Sequence, residues 1–240
     1  MSLPNARKLL RATDATWPAH SITQKGGWKI RYGAGGGKRV SATTKVQNKL
    51  PIIEVAEDKM QALGQDKLFM ILEEDYKLDV ALETRGYSIV DRSIIYICDI
   101  LKLVSELTPV AQTYQVWEPL EIMREIWQAG GIGDARVKVM DRVAGPKTGL
   151  LARDGDTVAG TAFVAIKDDI AMVHAVEVLQ KNRRKGVARK LMAQAASWAK
   201  ANGAIYMSLM TTKNNVPANK LYRSMNMEPT TTYHYRIKES

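Results

Sequence analysis

The stretch from Val173 to Thr212 constrains the fold of this chain more than any other. An apolar strand, a basic loop with a single glycine, an amphipathic helix and a second apolar strand follow one another directly. The loop reads Arg183-Arg184-Lys185-Gly186-Val187-Ala188. The helix that opens there places Val187, Leu191, Ala195 and Trp198 on one face, with Met192 and Ala199 widening the stripe. Asn202-Gly203 supplies its C-terminal stop. The start of a helix leaves main-chain N–H groups without intrahelical partners and gathers partial positive charge. Gly186 removes a Cβ from the approach to that backbone, Ala188 is nearly as small, and Arg183, Arg184, Lys185, Arg189 and Lys190 add cations. A pyrophosphate suits such a loop; taken alone, so does a solvated basic helix end.

The pattern (Arg/Gln)-x-x-Gly-x-(Gly/Ala), after a strand and opening a helix, resembles the acyl-CoA-binding motif of the GCN5-related N-acetyltransferases (GNATs), and residues 183–188 fit it. Downstream of the next strand, Asn215-Val216-Pro217-Ala218-Asn219-Lys220-Leu221-Tyr222 is similar to the Asn-x-x-Ala-x-x-Leu-Tyr helix of the same superfamily. Two motifs in this order are more specific than either alone, and the resemblance covers residues 117–240. It departs at Asn226-Met227, where members carry Gly-Phe. Asn tolerates a left-handed backbone and Met fills an apolar slot, so this change is compatible with the motif.

The resemblance implies an α+β chain with the GNAT fold, a mixed and mostly antiparallel sheet flanked by helices. It also implies acetyl-CoA as cosubstrate. Main-chain groups at Val176 and Val178 would pair with the pantetheine arm as an added strand does. Arg183, Arg184, Lys185, Gly186, Val187 and Ala188 would hold the pyrophosphate, with Asn215 and Tyr222 completing the cofactor contacts. Tyr222 matches the tyrosine that in many members donates a proton to the coenzyme A sulfur.

Composition narrows the alternatives. A chain of 240 residues with 45% hydrophobic content can build one large or two modest cores. One cysteine, Cys98, excludes an intrachain disulfide framework and reads as a buried strand residue. The three histidines, His20, His174 and His234, lie far apart and argue against a metal site. With no long apolar run and no secretory pattern, the expectation is a cytoplasmic protein without a membrane span. The net charge of +10 attracts polyanions, yet the cations are scattered and aromatic residues are only 7%, which disfavours nucleic acid and suits an anionic cofactor.

In chain order, a helix is expected over Ala6 to Ala15, broken by Trp17-Pro18, then a strand through Trp28, Ile30 and Tyr32. The run Gly33-Ala34-Gly35-Gly36-Gly37 reads as a hairpin turn, with strand alternation resuming near Val40. A helix over Ile52 to Leu63 closes at Gly64, and Lys67 to Leu72 is a buried strand. A second helix with Leu78, Ala81 and Leu82 inward ends at Arg85-Gly86-Tyr87, before a strand pair around Ile89 and Ile94 to Ile97. This order echoes the second half, without its phosphate loop, and predicts a degenerate GNAT-like unit over 1–110 ahead of a catalytic unit over 111–240. In the latter, a helix bearing Leu120, Met123, Ile126 and Trp127 stops at Gly130-Gly131. Strands follow at Gly149 to Arg153, Thr157 to Lys167 and Ile170 to Val178.

Acyl transfer to an amine by direct attack needs a deprotonated amine, a polarised carbonyl and a protonated leaving thiolate. Some relatives carry a glutamate where this chain has Met172, so the base is open between Glu177, His174 and a water relay. Regular alternation puts His174 on the face of Met172, Val176 and Val178 and turns Glu177 away, unless a local bulge reverses it. The resulting expectation is an N-acetyltransferase acting on the primary amine of a small molecule, as a monomer or homodimer. A protein N-terminal acetyltransferase and a non-catalytic CoA-binding regulatory module are the alternatives.

Overall fold

The computed structural model describes residues 3–46, 49–106 and 112–238. In chain order the elements are α1 (Ala6–Thr16), β1 (Ser21–Lys25), β2 (Trp28–Tyr32), α2 (Lys38–Ser41), β3 (Thr44–Lys45), α3 (Ile53–Ala62), β4 (Lys67–Leu72), α4 (Tyr76–Thr84), β5 (Ser88–Asp99) and α5 (Ile100–Glu106). They continue with β6 (Thr113–Val116), α6 (Glu121–Ala129), α7 (Asp134–Asp141), β7 (Lys147–Asp154), β8 (Thr157–Lys167), β9 (Ile170–Val178), α8 (Val187–Ala201), β10 (Tyr206–Thr212), α9 (Val216–Arg223) and β11 (Glu228–Lys238). Among the described residues no helix is long and apolar enough to cross a membrane.

The chain forms two compact units that interleave. One takes residues 1–18, 95–210 and 216–230; the other takes 19–94, 211–215 and 231–240. The chain therefore passes between units several times, because β5, β10 and β11 each run through both. The expected single boundary after residue 110 falls in 107–111, outside the described residues.

The first unit is a sheet of order β5-β10-β9-β8-β7-β6, antiparallel from β6 through β9 and parallel where β10 joins β9. α8 packs against β7, β8 and β9. Its Val187 lies 3.0 Å from where a Cβ on Gly160 of β8 would stand, so only glycine lets the helix start come so close. α1 and α6 also pack against β8 and β9. Phe163 and His174 are paired across these strands, and both meet the Trp17 ring that follows α1.

The second unit holds a three-stranded antiparallel sheet, β1-β2-β3, and strands in the order β4-β11-β5. Its core joins Trp28, Ile30, Met60, Phe69, Leu78 and Leu82. Here the reading of the glycine run is corrected. The β1–β2 hairpin turns at Gly26-Gly27, and Gly33 to Gly37 lead instead into α2, with Gly37 at φ 94 as its N-cap. Val40 is fully buried on that short helix, and one inward apolar residue in four has no period that could separate helix from strand. The expected strand pair after Tyr87 is one strand, β5, kinked at Asp91 with φ 48. Three expected strands keep their bounds, Lys67–Leu72, Thr157–Lys167 and Ile170–Val178, while the strand expected over Gly149 to Arg153 extends to Lys147–Asp154, and Cys98 is buried in β5. Asn226 adopts φ 55 and Met227 is buried, the conformation and the slot expected of Gly-Phe.

Candidate active site

The site begins with a defect in β9. Phe163 pairs with His174 and Thr161 with Glu177, so two residues of β9, Ala175 and Val176, stand opposite one residue of β8. Ala175 takes φ 51, a left-handed backbone that costs an alanine about 1 kcal/mol or more. The extra residue reverses the alternation beyond it and puts Glu177 on the face of His174. The regular-strand expectation for Glu177 is thereby overturned. The bulge takes the Ala175 carbonyl out of the ladder, and the buried Trp127 indole N–H donates to it at 2.8 Å. β10 pairs with β9 only from Tyr206↔Ile170 to Leu209↔Val173, although β9 runs on to Val178. Past Val173 the two parallel strands part.

Glu177 is half-buried against the last turn of α6. A Cβ on Gly130 would stand 2.3 Å from its Cδ, so the absent side chain is the room the carboxylate occupies. Burial pushes the carboxyl up, against the opposing pull of the Arg183 charge and of the Val178 N–H that it accepts. Tyr222, on α9, is buried and packs at 5.8 Å from the Tyr96 ring, whose hydroxyl donates to Asn219 Oδ1 at 2.9 Å. Burial pushes the Tyr222 phenol up to about 12, with the negative charge of Glu177 and then Tyr96 adding to it. Glu177 and Tyr222 are thus electrostatic neighbours, one a carboxylate made more basic, the other a phenol held neutral.

His174 is placed differently. It is buried in β9, its ring 4.9 Å from Trp17 and 6.3 Å from Phe163, with Nε2 3.0 Å from Thr16 Oγ1. Thr16 spends its own proton on the Ala12 carbonyl at 2.8 Å, so the imidazole N–H is the donor between them. The geometry gives this histidine a packing role. Asn215 is exposed in the turn before α9, among the residues of the second unit, with its N–H on the Thr212 carbonyl at 3.1 Å.

The loop from 183 to 188 alternates the sign of φ: Arg183 at −66, Arg184 at 65 and Gly186 at 78, with helix from Val187. Such alternation turns successive N–H groups toward one concavity, a nest for anions. No side chain caps α8, and its first turn holds no acidic residue. A Cβ on Gly186 would meet nothing within 4 Å, so this glycine is required by its φ rather than by crowding. Lys185 pairs with Asp154 at 3.1 Å, Asn182 donates to the same carboxylate at 3.0 Å, and Arg183 Nε donates to the Val178 carbonyl at 3.2 Å. The loop is therefore tied down at Arg183 and Lys185 while no side chain caps the helix it opens, a combination that suits a diphosphate. A depression of about 520 Å³ lined by Leu179, Gln180 and Lys181 adjoins it.

Residues 112–227 match the acetyltransferase (GNAT) family. That segment belongs to the family. This GNAT enzyme is an N-acetyltransferase, and members of its family use acyl-CoA. Among curated proteins it is 27% identical to the uncharacterized N-acetyltransferase YobR of Bacillus subtilis (strain 168), over 98% of this chain and 100% of that one. It is also 28% identical to an aminoglycoside N(6′)-acetyltransferase type 1 from Serratia marcescens, over 46% of this chain and 84% of that one. A GCN5-related N-acetyltransferase from Kribbella flavida shares the fold, with a TM-score of 0.74 at 18% identity, over 100% of this chain and 97% of the other.

In this GNAT chain two site-forming residues escape a reading by pattern. Trp127 registers only as part of an apolar helix face and Gly130 only as a helix stop. The usable signal was the indole itself, since a buried tryptophan N–H needs an acceptor and none is local to its helix.

Proposed function

We propose that this GNAT enzyme transfers an acetyl group from acetyl-CoA to the primary amine of a small molecule by direct attack. The observation that carries the reading is the bulge in β9 that turns the half-buried Glu177 onto the face of His174, in a chain whose α8 starts uncapped after the basic loop; the charge of Glu177 also reaches the buried Tyr222 phenol. Amides of Arg184 to Ala188 hold the diphosphate, and the β9 edge at Val176 and Val178 receives the pantetheine, which takes over the partners Val178 now finds in Arg183 and Glu177. Bound there, acetyl-CoA supplies an activated thioester.

Glu177 takes the proton from the attacking amine, the new C–N bond replaces C–S, and the Tyr222 hydroxyl gives its proton to the departing sulfur. The two transfers are coupled. Once Glu177 is protonated its charge no longer raises the Tyr222 phenol, so the acid strengthens after the base has acted. The small-molecule acceptor rests on the likeness to the aminoglycoside enzyme over 46% of the chain. Residues 111–240 carry this chemistry, with 1–110 as a degenerate relative of the same unit.

Product formation measured with amines, aminoglycosides and peptides bearing a free N-terminus tests the reading. Turnover with the small amines is expected, and exclusive turnover of the peptides would replace it. Because Glu177 must be ionised and burial raises its pKa, the rate should fall on acidification through a pH above the ordinary carboxylate range. Glu177→Gln should abolish that acid limb in a pH–rate profile.

A further inference from the structure

We infer that the last turn of α6 is a positioning clamp for Glu177, with Trp127 fixing the bulge that turns the carboxylate inward and Gly130 providing the space it fills. The inference rests on the reading of Glu177 as proton acceptor and adds two residues to it.

Two independent observations on one helix end converge on the same side chain. The first is the hydrogen bond from Trp127 Nε1 to the Ala175 carbonyl at 2.8 Å. Ala175 has no intrinsic preference for φ 51, and a regular strand there would restore the ladder and send Glu177 to the opposite face. The indole holds the carbonyl that the bulge frees, so the bulge depends on a residue 48 positions away in sequence. The second is Gly130, where a Cβ would lie 2.3 Å from Cδ, 2.6 Å from Cγ and 2.7 Å from Oε1 of Glu177. Its φ is −86, which any residue adopts, so neither backbone strain nor helix termination requires glycine. The close approach of the carboxylate does. The charged and titratable neighbours of Glu177 are Arg183 in the loop and Tyr222 on α9.

Gly130→Ala separates this role from a structural one. At an exposed position with an ordinary φ, alanine normally leaves stability unchanged or raises it. If Gly130 merely ends a helix, the variant is as active as the parent. If it seats Glu177, the flexible carboxylate moves, and kcat falls about tenfold to a hundredfold while the fold and the acetyl-CoA Kd are kept. Trp127→Phe removes the N–H but keeps a buried ring, and should lower kcat in the same range.

The experiment records, for the full chain and both variants, kcat, acetyl-CoA Kd, thermal stability and the titration of Glu177 by carboxyl carbon NMR, with the resonance identified by its loss in Glu177→Gln. A downward move of the Glu177 midpoint toward the ordinary carboxylate range in both variants, with lowered kcat and unchanged Kd, supports the clamp. An unmoved midpoint and unchanged kcat in both overturn it. If Glu177→Gln itself keeps full turnover while the midpoints still move, the clamp stands and the proton-acceptor role is what fails.

Discussion

Two helix–strand–helix–strand runs of this molecule, α3 to β5 and α8 to β11, close their helices with the same hydrogen bonds and open them differently. After α3, Gly64 N–H donates to the Gln61 carbonyl and Gln65 N–H to Met60. After α8, Gly203 N–H donates to Lys200 and Ala204 N–H to Ala199, at the same offsets. The second helices agree as well. Arg85, Gly86 and Tyr87 donate to Leu82, Glu83 and Leu82, and Met225, Asn226 and Met227 donate to Tyr222, Arg223 and Tyr222. At their starts the runs part company. α3 begins after Ile52 with Glu54 in its first turn, a carboxylate lowered by its own main-chain N–H and by Arg85. α8 begins at Gly186 with no acidic residue and no cap. One helix start is satisfied by an anion the chain carries; the other is left without one, which is where the proposed reading puts the diphosphate. Where α9 presents Tyr222, α4 presents the fully buried Leu82. Under the proposed function, cofactor competence resides in a few residues at one helix start and one helix face, while the helix ends of both runs share their hydrogen bonds.

The comparison can be broken most severely at Tyr222. Tyr222→Phe makes that position as inert as Leu82 and should lower kcat on the order of a hundredfold or more, with acetyl-CoA affinity retained, in steady-state kinetics paired with calorimetry. Next in size is Ala188→Glu, which gives α8 an acidic residue at its second position as Glu54 does for α3. Its acetyl-CoA Kd should rise about a hundredfold, or ~3 kcal/mol, from the loss of charge-assisted bonds. The reciprocal Glu54→Gln should leave that Kd unchanged. The smallest effect is at the shared corners. Gly86, at φ 80 with open space around its Cβ position, should lose about 1 kcal/mol on mutation to alanine, whereas Asn226→Gly should be neutral or stabilising, both read from denaturant midpoints.

Much of this was legible in the residues. Stops at Gly64, Gly86, Gly130 and Gly203, the basic loop and the apolar run of β8 are local signals, and short-range chemistry decides them. The face taken by Glu177 was not legible. Nothing in Ala175-Val176 announces a bulge, because the partner that stabilises it, Trp127, is remote in sequence and close only in the fold. The same holds for α2: Val40 turns inward because Gly37 bends the chain, an effect no alternation pattern reports. His174 shows the converse, a titratable residue whose neighbours Thr16 and Trp17, contributed by the N-terminal helix and the residue after it, make it part of the core.

A grip of the α8 amides on a diphosphate is tested most directly by comparing coenzyme A with pantetheine as ligands of the unaltered chain in calorimetric titration. Coenzyme A should bind about a hundredfold more tightly or better, with an advantage that shrinks as salt is raised. Equal affinities for the two, insensitive to salt, would contradict it.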